Sequence, residues 1–276
     1  MAQNREQEMR LDYLLEEFKE DSVQYRDLEI GDSYENKRMA LRSLMNIRMP
    51  RHMSCDVLKV QDEFLTEEAK EKGIVTLEEI PTVEEQYGGK RPYADRLSVW
   101  QGDITRLSVD AIVNAANSQM LGCFVPCHRC IDNAIHSAAG IQLRQECSQI
   151  MKMQGHEERT GNAKITKGYN LPCRYVIHTV GPIVRGNLTG NDCRLLRSCY
   201  DSCLELAEAK GLKSIAFCCI STGEFHFPNE AAAEIAVEAV TDFLKNSSLE
   251  RVIFNVFKEY DRSLYEQLLG GPALPY

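Results

Sequence analysis

This sequence predicts an α/β fold: a largely parallel sheet with helices over both faces. Three observations carry that reading. From about Leu97 onward, short apolar runs alternate with stretches of helical length. The runs are nearly continuous in apolar residues, as strands buried on both faces require. Polar residues suited to chemistry fall just after the runs, at the strand carboxyl ends where ligands bind in such sheets. Residues 1 to about 90 read differently, so the chain divides into a helical extension (1–90) and an α/β domain (91–276).

In the extension, Leu11, Leu14, Leu15 and Phe18 recur at helical spacing, as do Met39, Leu41, Leu44 and Met45. A third helix is expected from about Asp56 to Lys72, with Leu58, Phe64 and Leu65 on one side and Gly73 as its stop. An acidic stretch, TLEEIPTVEEQ, leads to a linker at Tyr87–Lys90. The domain then offers strands at Leu97–Gln101 and Ala111–Ala115, and a helix at Asp132–Ala139 that breaks at Gly140 and resumes to Ile150. Strands at Ala163–Leu171 and Tyr175–Val180 precede a helix at Cys193–Ala209, stopped by Gly211. A strand at Ser214–Ile220, a helix at Asn229–Leu244, a strand at Arg251–Phe257 and a helix at Arg262–Leu269 complete the order.

Composition narrows the function classes. A net charge of −9 argues against nucleic acid held by a general basic footprint, so any phosphates must be bound chiefly by backbone N–H groups. No run approaches the ~20 apolar residues of a membrane span. The N-terminus lacks the basic-then-apolar order of a secretory signal, and a cytoplasmic protein is expected. The eleven cysteines are odd in number and mostly isolated in apolar contexts, which reads as buried thiols rather than a disulfide framework.

Only Cys123, Cys127 and Cys130 cluster, with His128 among them, in GCFVPCHRC. Thiolates with an imidazole favour zinc. Cys127 and His128 are adjacent and do not easily turn inward together, so Cys123, His128 and Cys130 are the expected ligands. Three protein ligands leave a position open, as in catalytic sites; a closed structural site using Cys127 is the alternative. A redox role for Cys127 and Cys130 in their C-x-x-C spacing lacks its usual context.

Around this cluster stand further candidates. Asp132 opens a helix and is either an N-cap or a carboxylate that orients water or a sugar hydroxyl. Asn114 and Asn117 leave a buried strand and need partners; one can tie down the loop, and Asn117 is better placed for a ligand hydroxyl. Asp103, in GDIT, is either a turn residue or an acceptor for an exocyclic amine such as that of adenine. Ser221, Thr222, Gly223, Glu224 and Phe225 lie between a strand and a helix, where N–H groups and the helix dipole favour an anion. Phe225 offers an apolar face to a ribose, Phe227 reads as core, and Phe257 is weakly placed to stack on a base. His136 and His178 read as core or supporting histidines.

Taken together, GDIT (102–105), DAIVNAAN (110–117), IDNAIHSAAG (131–140), YVIHTVGP (175–182) and ISTGEFHFP (220–228) resemble a macrodomain of the ADP-ribose hydrolase type, over about residues 95–270. GCFVPCHRC stands where ordinary members have a glycine-rich segment, which is similar to the zinc-containing subfamily. The resemblance implies a three-layer α/β/α fold around a mixed, largely parallel sheet, and removal of mono-ADP-ribose from protein side chains with Zn2+ as cofactor. It implies Asp132 and Asn117 as catalytic residues, and Cys123, His128 and Cys130 as metal ligands. Asp103 should bind the adenine amine with a backbone contact from Ile104, Asn117 should meet the distal ribose, Ser221–Phe225 should wrap the diphosphate and that ribose, and Ile131 and Asp132 complete the implied substrate-binding set. Glu224 stands where an apolar residue is common. Implied partners are a mono-ADP-ribosylated protein, a lipoyl carrier resembling the glycine cleavage H protein, and a sirtuin-like ADP-ribosyltransferase; neither nucleic acid nor membrane is expected. A non-catalytic ADP-ribose reader with a structural zinc is the alternative function.

Overall fold

The structure, a computed structural model, describes residues 2–88 and 91–270. Gly89 and Lys90 of the expected linker lie outside the described residues. Three helices, α1 (Ala2–Glu20), α2 (Tyr34–Ile47) and α3 (Cys55–Glu71), pack around Leu11, Leu14, Phe18, Leu41, Leu44 and Phe64. Ser33 and Ser54 start α2 and α3 by accepting from Asn36 N and Val57 N. Met39, in the same helical spacing, is 55% exposed, while its carbonyl lies 3.5 Å from Cys127 Sγ.

A short strand β1 (Val75–Thr76) and helix α4 (Val83–Tyr87) follow. Ile80 and Val83 bury into the larger core, not that of the three helices. The larger core surrounds β2 (Leu97–Gln101), β3 (Leu107–Ser108), β4 (Ala111–Ala116), α5 (Ile131–Ala139), α6 (Ile141–Gln154), β5 (Ala163–Lys167), β6 (Tyr175–Val180), α7 (Gly190–Ala209), β7 (Ser214–Phe217), α8 (Asn229–Leu244), β8 (Arg251–Val256) and α9 (Glu259–Gly270).

Strands β2-β8-β7-β4-β6-β5 form one sheet, parallel except for β5, and β1 pairs with β3 beside it. Consecutive residues of β6, β7 and β8 are buried, so both faces are covered. Helices α7, α8 and α9 pack in succession, while α5 packs on β4 and carries α2 and α3 against it.

Several boundaries differ from the sequence reading for local reasons. The strand at 163 ends at Lys167 because Gly168–Asn170 turn back, with Gly168 N bonded to Arg174 O; the return makes β5 antiparallel to β6. Regular pairing in β7 ends at Phe217, before the expected Ile220. Helix α7 starts earlier, at Gly190, because Thr189 and Asp192 form a reciprocal cap. The last helix likewise starts at Glu259. The break between α5 and α6 does fall at Gly140, whose φ of +94° is unfavourable for residues with a side chain.

Sheet order places the site. After β4 the chain builds β6 and β5 on one side, then β7 and β8 on the other. The crevice of such a sheet opens at this reversal, beyond the carboxyl end of β4.

Candidate functional site

Asn114 sits within β4 and is 0% exposed. Its Nδ2 donates to Asp132 Oδ1 at 2.8 Å and lies 3.1 Å from His178 Nδ1. His178 Nε2 is in turn 2.9 Å from Thr166 Oγ1. If Asn114 donates, His178 Nδ1 accepts and the ring proton belongs on Nε2, facing Thr166. Asn117, past the strand, reaches Asp132 Oδ2 at 3.5 Å and donates to Gly122 O at 3.2 Å, while its Oδ1 accepts from Gln119 N. Both asparagines therefore converge on one carboxyl group, and Asn117 also ties its loop.

Asp132 lies in the first turn of α5 and is only 5% exposed. Burial pushes its carboxyl up to about 6, against the opposing hydrogen bond from Asn114 and the charge of Arg144. His136, one turn on, places Nε2 3.5 Å from Asp132 Oδ1. Burial, with His178 and Arg144 adding to it, holds His136 well below its ordinary value. It is neutral near pH 7, and the pair is not an ion pair. Burial also lowers His178 to about 3. The carboxylate thus sits among neutral histidines and asparagines with the Arg144 charge nearby, and its pKa lies near those of useful general bases.

Beside it, Cys123, His128 and Cys130 bring their donor atoms within 4.8 Å of one another, all half-buried. Cys123 Sγ is 3.6 Å from His128 Nδ1. Cys130 doubles as N-cap of α5, accepting from Asn133 N. Burial above all, with the Cys123 and Asp132 charges, pushes the Cys130 thiol up to about 12. A divalent cation is the charge that would reverse this, and two thiols with an imidazole form a soft donor set suited to zinc.

Cys127 is turned the other way. Its φ is +51°, a left-handed conformation that costs on the order of 1 kcal/mol outside glycine. Its Sγ lies 3.3 Å from Ser43 Oγ and 3.5 Å from Met39 O, in the N-terminal layer. The four-ligand alternative therefore loses its fourth thiol. His136, Cys147 and His178 also gather within 4.8 Å, but that group is buried and feels the Arg144 charge, a poor setting for a cation.

The remaining candidates follow the carboxyl ends of neighbouring strands. Gly181 follows β6 so closely that a Cβ there would overlap Ser221 Oγ. Ser221 is buried with φ +65°, and its Oγ has no protein partner. Thr222 Oγ1 donates to Cys219 O, Phe225 O accepts from Val184 N, and Gly223 is exposed. Glu224, 71% exposed, places Oε1 3.7 Å from His128 Nε2, so this loop meets the metal loop across the crevice.

Asp103 caps a single turn at Ile104–Arg106 through Oδ1, which accepts from Thr105 N at 3.0 Å and Thr105 Oγ1 at 2.7 Å. Ile104 is buried and Ile131 half-buried. Phe257 leaves β8 beside the end of β2 and is 76% exposed. Along β2-β8-β7-β4 the sequence candidates thus form a row, with Asp103 at one end and Asn117 at the other. Three strand spacings of ~4.8 Å make that row roughly 14 Å long.

Sequence reasoning marked Asn114 as needing a partner without assigning it to Asp132, read His136 as core, and missed Arg144. The i, i+4 spacing of Asp132 and His136 was the one local signal. Arg144 had none.

The layered sheet, the polar crevice at the β4 reversal and the 221–228 loop define a macrodomain. The macro domain family profile matches residues 113–236. A Treponema medium protein named protein-ADP-ribose hydrolase is 51% identical over 271 residues, covering 98% of this chain and 100% of its own length. This chain belongs to the macro domain family. A Trypanosoma brucei macrodomain solved in complex with ADP-ribose is 30% identical, covering 87% of this chain and 97% of its own, with a TM-score of 0.64. A Fusarium oxysporum relative named probable bifunctional ADP-ribose hydrolase/ADP-ribosyltransferase is 50% identical over 188 residues, covering 64% of this chain and 32% of its own.

Proposed function

We propose that this protein is a hydrolase that removes mono-ADP-ribose from modified protein side chains, with zinc held by Cys123, His128 and Cys130. The observation that carries the proposal is the placement of Asp132. A buried carboxyl raised to about 6 lies beside the Cys/His cluster, between two asparagines at the carboxyl end of β4. The relatives' names and the ADP-ribose complex of a related macrodomain support the substrate.

The row of strand ends sets the ligand's direction. Asp103, with Oδ2 still available, accepts from the adenine amine, and the backbone at Ile104 adds a contact. The loop Ser221–Phe225 offers N–H groups to the diphosphate ahead of α8, and Phe225 covers a ribose. Asn117, Ile131 and Asp132 hold the distal ribose so that C1″ stays in register. Asp132 takes a proton from water as the water oxygen bonds to C1″. The C1″ bond to the side chain breaks, and the side chain leaves with the electron pair and a proton from solvent. Zinc, when bound, supplies Lewis acidity toward oxygen groups at this end of the site.

A transferase that installs the modification is the implied counterpart, and a relative whose name joins both activities supports that pairing. The sirtuin-like character of that enzyme and a lipoyl carrier as target rest on the resemblance alone. Release of ADP-ribose from a modified protein, compared among wild type, Asp132→Ala and Cys130→Ala, tests the mechanism. Loss of turnover in both is expected. Undiminished turnover in both variants would overturn the mechanism, and absence of turnover in wild type with retained ADP-ribose affinity would make the protein a reader.

A further inference from the structure

The extension touches the metal loop at several points, all through α2. Asn46 Oδ1 accepts from Cys127 N at 3.0 Å, and its Nδ2 donates to Ser137 Oγ at 2.9 Å. Arg42 donates to Asn133 Oδ1 at 2.6 and 3.1 Å and to His128 O at 3.4 Å. Ser43 and Met39 meet the Cys127 thiol. Asn133 carries the contact onward, donating through Nδ2 to Val125 O at 3.0 Å.

Arg144 closes the frame from the other side. Its Nη1 binds the carbonyls of Met45, Asn46 and Arg48 at the end of α2, at 2.6 to 3.1 Å. Its Nε and Nη2 donate to Leu121 O at 2.6 Å and Cys123 O at 3.3 Å, and its guanidinium lies 4.2 Å from the Phe124 ring centre. One charged side chain thereby joins the carboxyl end of a helix, where a cation is favoured, to the start of the metal loop.

The loop therefore has little means of holding its shape unaided. It turns at Cys127 through a left-handed residue other than glycine, and the amide of that residue is satisfied by Asn46. The expected zinc ligands Cys123 and His128 give their carbonyls to Arg144 and Arg42, while Cys130 is fixed as the cap of α5.

We infer that α2 is an outer frame for the metal centre, with Arg42, Asn46 and Arg144 as positioning residues that set how tightly and in what geometry Cys123, His128 and Cys130 hold a divalent cation. This rests on the metal reading above, and it assigns the extension a role in the chemistry without contact with substrate. Residues that orient metal ligands from outside typically change affinity 10–100-fold when removed.

The test uses the full-length protein and two probes: zinc loss to a competing chromogenic chelator, and visible absorption of the cobalt(II)-loaded protein. Arg42→Ala and Asn46→Ala should bind zinc 10–100-fold more weakly and shift or weaken the cobalt bands. Arg42→Lys should recover part of the loss, and Lys37→Ala, whose side chain pairs with Asp12 on the far side of α2, should behave as wild type. Wild-type affinity and cobalt spectrum in both alanine variants, with cooperative unfolding retained, overturn the inference. If Asn46→Ala does not fold, the half-buried Arg42 decides the question alone. A wild type that takes up no cobalt sinks the metal reading and the frame together, an outcome distinct from equal binding by wild type and variants.

Discussion

The two loops that face each other across the crevice are built in opposite ways. The cysteine-rich loop, 121–130, makes one turn bond of its own, His128 N to Val125 O, and is otherwise held from outside: Arg42, Asn46, Asn133 and Arg144 bind its backbone, and half of those side chains lie some 80 residues earlier in the chain. The 221–228 loop is held largely by itself and its flanks, through Phe227 N to Ser221 O, His226 N to Gly223 O and Thr222 Oγ1 to Cys219 O, with Val184 N joining Phe225 O from beyond β6. The difference fits the roles proposed for the two loops. A metal site needs fixed side-chain geometry, which outside partners enforce. A phosphate cradle needs free N–H groups pointing outward, which partners would consume.

The sharpest way to break this comparison acts where the loops meet. Asp132→Asn should lower ADP-ribose release by ~10²–10⁴-fold, the usual worth of a general base, while ADP-ribose binding by the self-held loop persists in calorimetry. The same change should stabilise the fold. A buried carboxyl raised from 3.8 to about 6 makes the folded state bind more protons than the unfolded state between those values. Stability therefore falls as pH rises through that window, by about 3 kcal/mol at its end. In metal-free protein, Asp132→Asn should remove that fall, giving a higher melting temperature than wild type at pH 7 and a smaller difference at pH 4.

The pH profile sharpens the comparison further. Hydrolysis requires ionised Asp132, so kcat/KM should drop about tenfold per pH unit below about 6, whereas ADP-ribose binding through backbone N–H groups should change far less over pH 5–7. A flat rate profile through this range would remove Asp132 as the base. The smallest effect is expected at Glu224, whose exposed carboxylate meets His128 at 3.7 Å. Glu224→Gln should alter turnover less than about fivefold, since exposed pairs contribute roughly 0–1 kcal/mol. A hundredfold loss would show that the exposed loop takes part in the chemistry.

Much of the domain was legible because its signals are local. The near-continuous apolar run of 111–116 marks a central strand, whereas the Thr189 and Asp192 cap that starts α7 three residues before the expected Cys193 was a local signal left unread. Cys123, His128 and Cys130 were readable because all three lie within eight residues, and Asp132 because it opens the next helix. The orientation of Cys127 was half legible: adjacency to His128 suggested that the two do not turn inward together, and the left-handed turn with the Ser43 and Met39 contacts supports leaving it out of the proposed ligand set.

The sequence by itself determined the alternation of strands and helices, the row of polar residues at the strand ends and the donor set for a metal. Each depends on spacing, turn chemistry or burial pattern over fewer than about fifteen residues. Only the tertiary structure decided that α2 backs the metal loop, that Asn114 and not only Asn117 holds Asp132, and that Arg144 joins two layers. Those pairings span 18 to 99 positions, and no local pattern encodes them. They arise because packing α5 between the sheet and the extension buries polar groups that must find partners wherever the fold brings them.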